Sequence, residues 1–116
     1  MKLVKIINAV ENLNKLSELL LPAKESFKVV KLLTEIEPQV NNYNLQRNKL
    51  LAKYGDSKDE KTFEIRKEDQ ANFIKEVEDL GSIEIDLKFE KINISNGLTI
   101  KASDLINILD FIEIIE

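Results

Sequence analysis

The sequence predicts an α+β domain: an antiparallel helical hairpin with one long kinked helix, plus a small, mainly antiparallel sheet and two short helices. Three observations carry this. Apolar residues recur at three- and four-residue steps through the first half, they alternate with charged residues over 83–90, and Pro22, Gly55, Gly81 and Gly97 stand where the periodicity changes. Residues 1–116 read as a single domain, 1–55 the helical hairpin and 56–116 the α/β part. At this length one core can be buried, not two.

Leu3, Ile6, Ile7, Val10, Leu13, Leu16 and Leu20 share one helical face and define a first helix over 2–20. Pro22 suits the first turn of the next helix, where its missing N–H costs nothing. The short connection returns that helix antiparallel to the first. On a wheel of about 100° per residue, Val29, Val30, Leu32, Leu33, Ile36, Val40, Tyr43, Leu50, Leu51 and Tyr54 fall within an arc of roughly 160°. This stripe crosses Pro38 without losing phase. Two independently packed helices would have no reason to match in phase, so one bent helix is expected over 22–54, with Gly55 as a left-handed stop.

The polar run 55–61 reads as a loop and 62–65 as a short strand. A third helix follows over 67–80, with Phe73, Ile74, Val77 and Leu80 inward and Gly81 ending it. "SIEIDLKFE" (82–90) alternates throughout, which predicts a strand with Ile83, Ile85, Leu87 and Phe89 on one face. In "INISNGLTI" a three-residue loop at 95–97, Gly97 left-handed, places Ile92, Ile94, Leu98 and Ile100 on the same face of a hairpin. Ser103 is an N-cap for a short helix to about Asp110, and "FIEII" closes as a strand or packed tail.

Composition excludes much chemistry. With no histidine and no cysteine, the commonest general base, the usual zinc ligands and the best nucleophile are all missing. Glu84 and Asp86 share a strand face beside Glu76, but a solvated outer face looks the same. A calcium-loop resemblance at Asp56 fails, since Lys61 occupies the glycine position and Lys67 the bidentate glutamate position. Three scattered glycines cannot build a phosphate cradle. Asn93-Ile94-Ser95 fits the glycosylation pattern, but no secretory leader is read at the start. No apolar run spans a bilayer. No enzyme activity, cofactor or metal is expected, and the cytoplasm is the expected location.

Charge is unevenly spread. Residues 1–55 carry nine basic and five acidic side chains, and residues 76–116 carry three and ten. An acidic surface of Glu76, Glu84, Asp86 and Glu90 could therefore meet a basic partner, or the basic end of a second copy. Arg47 and Arg66 are the only arginines and no lysine cluster is interleaved with aromatics, so nucleic acid is not an expected partner.

Lengths point to an interface. The long helix would extend roughly 50 Å and the first only about 28 Å. Its far half, with Val40, Tyr43, Arg47, Leu50, Leu51 and Tyr54, needs a cover from the third helix or from a second polypeptide. Arg47 lies near the centre of the stripe. Either its stem packs while the guanidinium reaches water or a carboxylate, or it anchors an interface beside the tyrosines. A protein partner and a homo-oligomer are the expectation.

The run "LPAKESFKVVKLLTEIEPQVNNYNLQRNKLLAKYG", then "NFIKEVEDL", "IEIDLKF" and "SDLINILDFI", resembles a family of small proteins encoded by bacteriophages and prophages of low-GC Gram-positive bacteria. The resemblance rests on element order and on Leu21-Pro22, Glu37-Pro38 and Tyr54-Gly55. It implies a host-cytoplasmic phage context and transfers no functional residues. Two roles follow from it: a virion or assembly accessory protein, or an inhibitor of a host defence nuclease or nucleic-acid-binding protein acting through the acidic C-terminal region.

Overall fold

The computed structural model describes residues 1–57, 62–95 and 100–115. Helix α1 spans Leu3–Ser17 and α2 spans Ala23–Tyr54; strands β1 (Gly55–Ser57) and β2 (Phe63–Ile65) follow, then α3 (Gln70–Gly81), β3 (Ile92–Ser95), α4 (Ala102–Leu105) and β4 (Ile112–Ile115). The fold is α+β, and the long helix runs without interruption through Pro38. One turn before the proline, the Thr34 hydroxyl donates to the Val30 carbonyl (2.9 Å).

The core forms where the helical face of α1 meets the first half of α2. Leu3, Ile6, Ala9, Leu13 and Leu16 are buried at three- and four-residue steps, and Val29, Leu32 and Ile36 face them. Ile92, Ile94, Ile108, Phe111 and Ile112 close this core from the other side. Phe89 stacks at a tilt on Phe111, ring centroids 5.1 Å apart. Two positions on the expected faces are left out: Leu20 is 97% exposed because α1 ends at Ser17, and Val30 lies outside the buried arc.

The sheet is two separate pairs. β1 and β2 pair antiparallel, Asp56 opposite Glu64, whereas β3 and β4 pair parallel, Ile92 opposite Ile112 and Ile94 opposite Ile114. β3 thus finds a partner after a crossover through α4; the hairpin expected around a loop at 95–97, with Gly97 left-handed, falls largely on 96–99, which lie outside the described residues. Ser103 is inside α4 instead of capping it; the helix ends at Leu105 and Asn107 takes a left-handed conformation (φ 70°), so it does not reach Asp110.

The alternating segment 82–90 is not a regular strand. Residues 83–85 exchange backbone hydrogen bonds with residues 1–3, through Leu3 N–H to Ile83 O (2.9 Å) and Ile85 N–H to Met1 O (2.8 Å), and no ladder continues beyond. Ile85, Leu87 and Phe89 still pack on the core, and 84, 86, 88 and 90 face solvent. Alternation reported which face is buried, and ladder pairing needs a neighbouring strand that is absent here among the described residues. Ile83 and Ile74, both expected inward, are exposed.

Gly55 and Gly81 act through space. Gly55 is extended (φ −114°, ψ 158°), not left-handed, and begins β1; a Cβ there would come within 2.6 Å of the Leu51 carbonyl oxygen. Gly81 is the last residue of α3, where a Cβ would sit 3.1 Å from that of Val4. Close approach explains both glycines.

Candidate interaction surface

Fully buried residues of α2 stop at Ile36. Beyond it the apolar stripe continues in sequence, but Val40, Tyr43, Leu50, Leu51 and Tyr54 are only half-buried. Val40 still touches the core cluster. At the other end α3 folds back over α2, so the third helix supplies part of the missing cover. Tyr54 meets Phe73 edge to face at 6.5 Å, and Gln46 and Leu50 line an open groove of about 280 Å³ with Glu76, Asp79, Leu80 and Ile83.

Arg66, which the sequence reading weighed only as a nucleic-acid contact, holds this end together. Its guanidinium donates from Nε to Asp69 (2.7 Å), from Nη1 to Asp56 (3.1 Å) and from Nη2 to the Lys53 carbonyl (2.6 Å), and its backbone N–H donates to Tyr54 O (3.0 Å). One side chain thus satisfies a carbonyl in the last turn of α2 and ties it to β1 and to the 3₁₀ turn at Lys67–Asp69 that leads into α3. The Asp69 hydrogen bond raises its pKa further against burial. Lys53 pairs with Glu76 (3.4 Å) and lies over the Tyr54 ring (4.9 Å). Tyr54's hydroxyl, with Lys53, holds the Glu76 carboxyl below its ordinary value against the opposing push of burial. No spacing rule marks Arg66; its partners lie 3, 10 and 13 residues away.

Between these two covers lies the middle of α2. Arg47 is exposed near the centre of the stripe and, among the described residues, has no ion-pair or hydrogen-bond partner. Tyr43 is half-buried one turn before it. The six expected interface residues therefore share one face but not one environment: Val40 leans on the core, Leu50 and Tyr54 on α3 and its surroundings, Leu51 is half-buried next to Leu50, and Tyr43 and Arg47 fall between.

The four expected acidic residues do not form one patch of free charge. Glu76 is engaged by Lys53, and Glu84 lies 3.2 Å from the Met1 ammonium. Asp86 and Glu90 are exposed and, among the described residues, unpaired. Among the described residues no three carboxylates are gathered so as to hold a metal ion, and no helix is long and apolar enough to cross a membrane.

Glu25, at the start of α2, was not singled out in the sequence. It is the one buried charged side chain among the described residues, accepting from Lys28 (3.2 Å) and from the Asn93 backbone N–H (2.8 Å). Lys28 also donates to Lys91 O. Burial pushes the Glu25 carboxyl up, but the Asn93 N–H and the Lys28 ammonium together outweigh this and leave it below its ordinary value. Its role is to hold β3 against α2. No protein-family profile, curated protein sequence or solved structure matches the chain.

Proposed function

We propose that this protein is a non-enzymatic binding module that docks another protein through the middle of α2, around Tyr43 and Arg47, in a phage setting such as virion assembly. The observation that carries the reading is the guanidinium of Arg47, without a partner among the described residues and set near the centre of an apolar stripe whose neighbours are only half covered. An arginine kept for pairing inside the molecule would be expected to meet a carboxylate, and one kept for packing would be expected to bury its stem; Arg47 is exposed and, among the described residues, meets no carboxylate. Tyrosine and arginine at such a position are the residue types that dominate binding hot spots.

The test compares wild type with Arg47→Ala and Tyr43→Ala. Arg47→Ala should leave the melting temperature nearly unchanged, because an exposed side chain without partners contributes within about 0.5 kcal/mol. Both variants should lose proteins that the wild type captures from host lysate. A clear fall in the melting temperature of Arg47→Ala, or an unchanged set of captured proteins, would remove the proposal.

The alternative, inhibition of a host nuclease by acidic mimicry, has less to stand on, since Glu76 and Glu84 are engaged within the molecule. Salt separates the two. At about 1 M the Debye length is about 3 Å, which should abolish mimicry and spare docking on the apolar stripe.

A further inference from the structure

A second surface lies away from Tyr43 and Arg47, where α2 runs beside residues 88–90. Phe27, Leu32 and Phe89 form an apolar groove of about 90 Å³, with Lys31 and Lys88 on its rim. Phe27 is 69% exposed, and Val30, one turn further along α2, is 58% exposed. Lys28 also lines the groove, but its ammonium is taken by Glu25 and the Lys91 carbonyl. Lys31 and Lys88, with Lys24 one turn before Phe27 on α2, are exposed and, among the described residues, have no ion-pair partner. Glu90 is the one acid lining the groove. In a chain of net charge −4 this is a local excess of free cations beside an uncovered aromatic ring.

The complementary chemistry occurs once more in the same chain. Strand β4 presents Ile114 (56% exposed) and Ile115 (44% exposed) with its one acid, Glu113, exposed beside them. No ion pair joins the two surfaces within one molecule: among the described residues neither Lys31 nor Lys88 nor Glu113 forms one. We infer that the groove between α2 and residues 88–90 receives the isoleucine-rich β4 of a second copy, with Glu113 as its charged contact, giving self-association. Apolar side chains of β4 would cover Phe27 and Phe89, and Glu113 would meet Lys31 and Lys88. Such a contact joins two different surfaces, so it closes as a twofold dimer where two copies exchange it reciprocally and otherwise builds rings or open chains.

This inference does not rest on the role proposed for Arg47. Sedimentation equilibrium would be run at about 0.1 M salt, where the Debye length is about 10 Å. Wild type should show a mass that rises with concentration. A groove variant (Lys31→Glu with Lys88→Glu) and a strand variant (Glu113→Lys) should each associate at least about tenfold more weakly, because like charges then face each other. An equimolar mixture of the two variants should associate again, since each reversed surface now meets its opposite. Arg47→Ala should associate as wild type does. A wild type that stays monomeric, variants that associate unchanged, a mixture that does not recover, or loss of association in Arg47→Ala would each overturn the inference. All the altered residues are exposed, and circular dichroism checks that the variants remain folded.

Discussion

Glu25 shows how a single buried charge can be stabilising here. Its carboxylate is desolvated, yet one oxygen accepts from a strand N–H and the other from an ammonium, so its main partners are supplied. Glu25→Ala would leave the Asn93 N–H and the Lys28 ammonium without this acceptor, at a cost of about 1–3 kcal/mol, read as a lower melting temperature. The pH dependence has a definite sign. The folded pKa lies below the unfolded one, near 4.5, so the contribution is complete above that value and is lost as pH falls through the folded pKa. The stability gap between wild type and Glu25→Ala should therefore narrow in acid; a gap that stays constant or widens would contradict the assignment. None of this was legible in sequence. A glutamate in the first turn of a helix is ordinary, and what makes this one special is a backbone N–H 68 residues away. Arg66 was hidden for the same reason, whereas Arg47 was visible because a charge within an apolar period is an anomaly that needs no tertiary contact to be seen.

Among the elements, the helices were the most legible, because a periodic pattern depends only on neighbours three and four positions away. The continuity of α2 through Pro38 follows from the phase of its stripe. The strands were less legible, since a partner is not encoded in the strand itself: 82–90 alternates but lacks a neighbour beyond residue 85, and β3 pairs with β4 across a helical crossover. Pro38 gives a test at this scale. It is exposed, so its ring contributes little packing, and it denies the Thr34 carbonyl an N–H donor. Pro38→Ala restores that donor and should raise stability by up to about 3 kcal/mol, measured by urea denaturation with the slope unchanged. A fall in stability would mean that the proline sets a helix direction on which the covering of α2 by α3 depends.

Seen whole, the molecule is too long for its mass. Its radius of gyration is 17.3 Å, against about 13 Å for a compact chain of this length, and its long dimension of 53 Å matches the length of α2. The fully buried apolar residues all belong to 3–36 and 92–112, at one end of that axis. The other end, built from the last turns of α2, β1, β2 and α3, is held by half-buried side chains and by the hydrogen bonds of Arg66. Such unequal packing should produce unequal stability, with the thinly packed end opening at a lower free energy than the core. Native-state hydrogen exchange should accordingly find α1 and the first half of α2 exchanging only through global unfolding, and α3 with the last turns of α2 exchanging through a smaller opening. Arg66→Ala should speed exchange at the second set by about tenfold or more, because it leaves the Lys53 carbonyl, Asp56 and Asp69 without their shared donor, while the first set barely changes. Arg66→Lys should not restore the slow rate, since an ammonium cannot reproduce the planar fork that reaches three acceptors at once. Uniform protection along α2, or an equal effect of Arg66→Ala at both ends, would show that the helix transmits the stability of its core over its whole length, and the exposed middle around Arg47 would then be as rigid as the buried half.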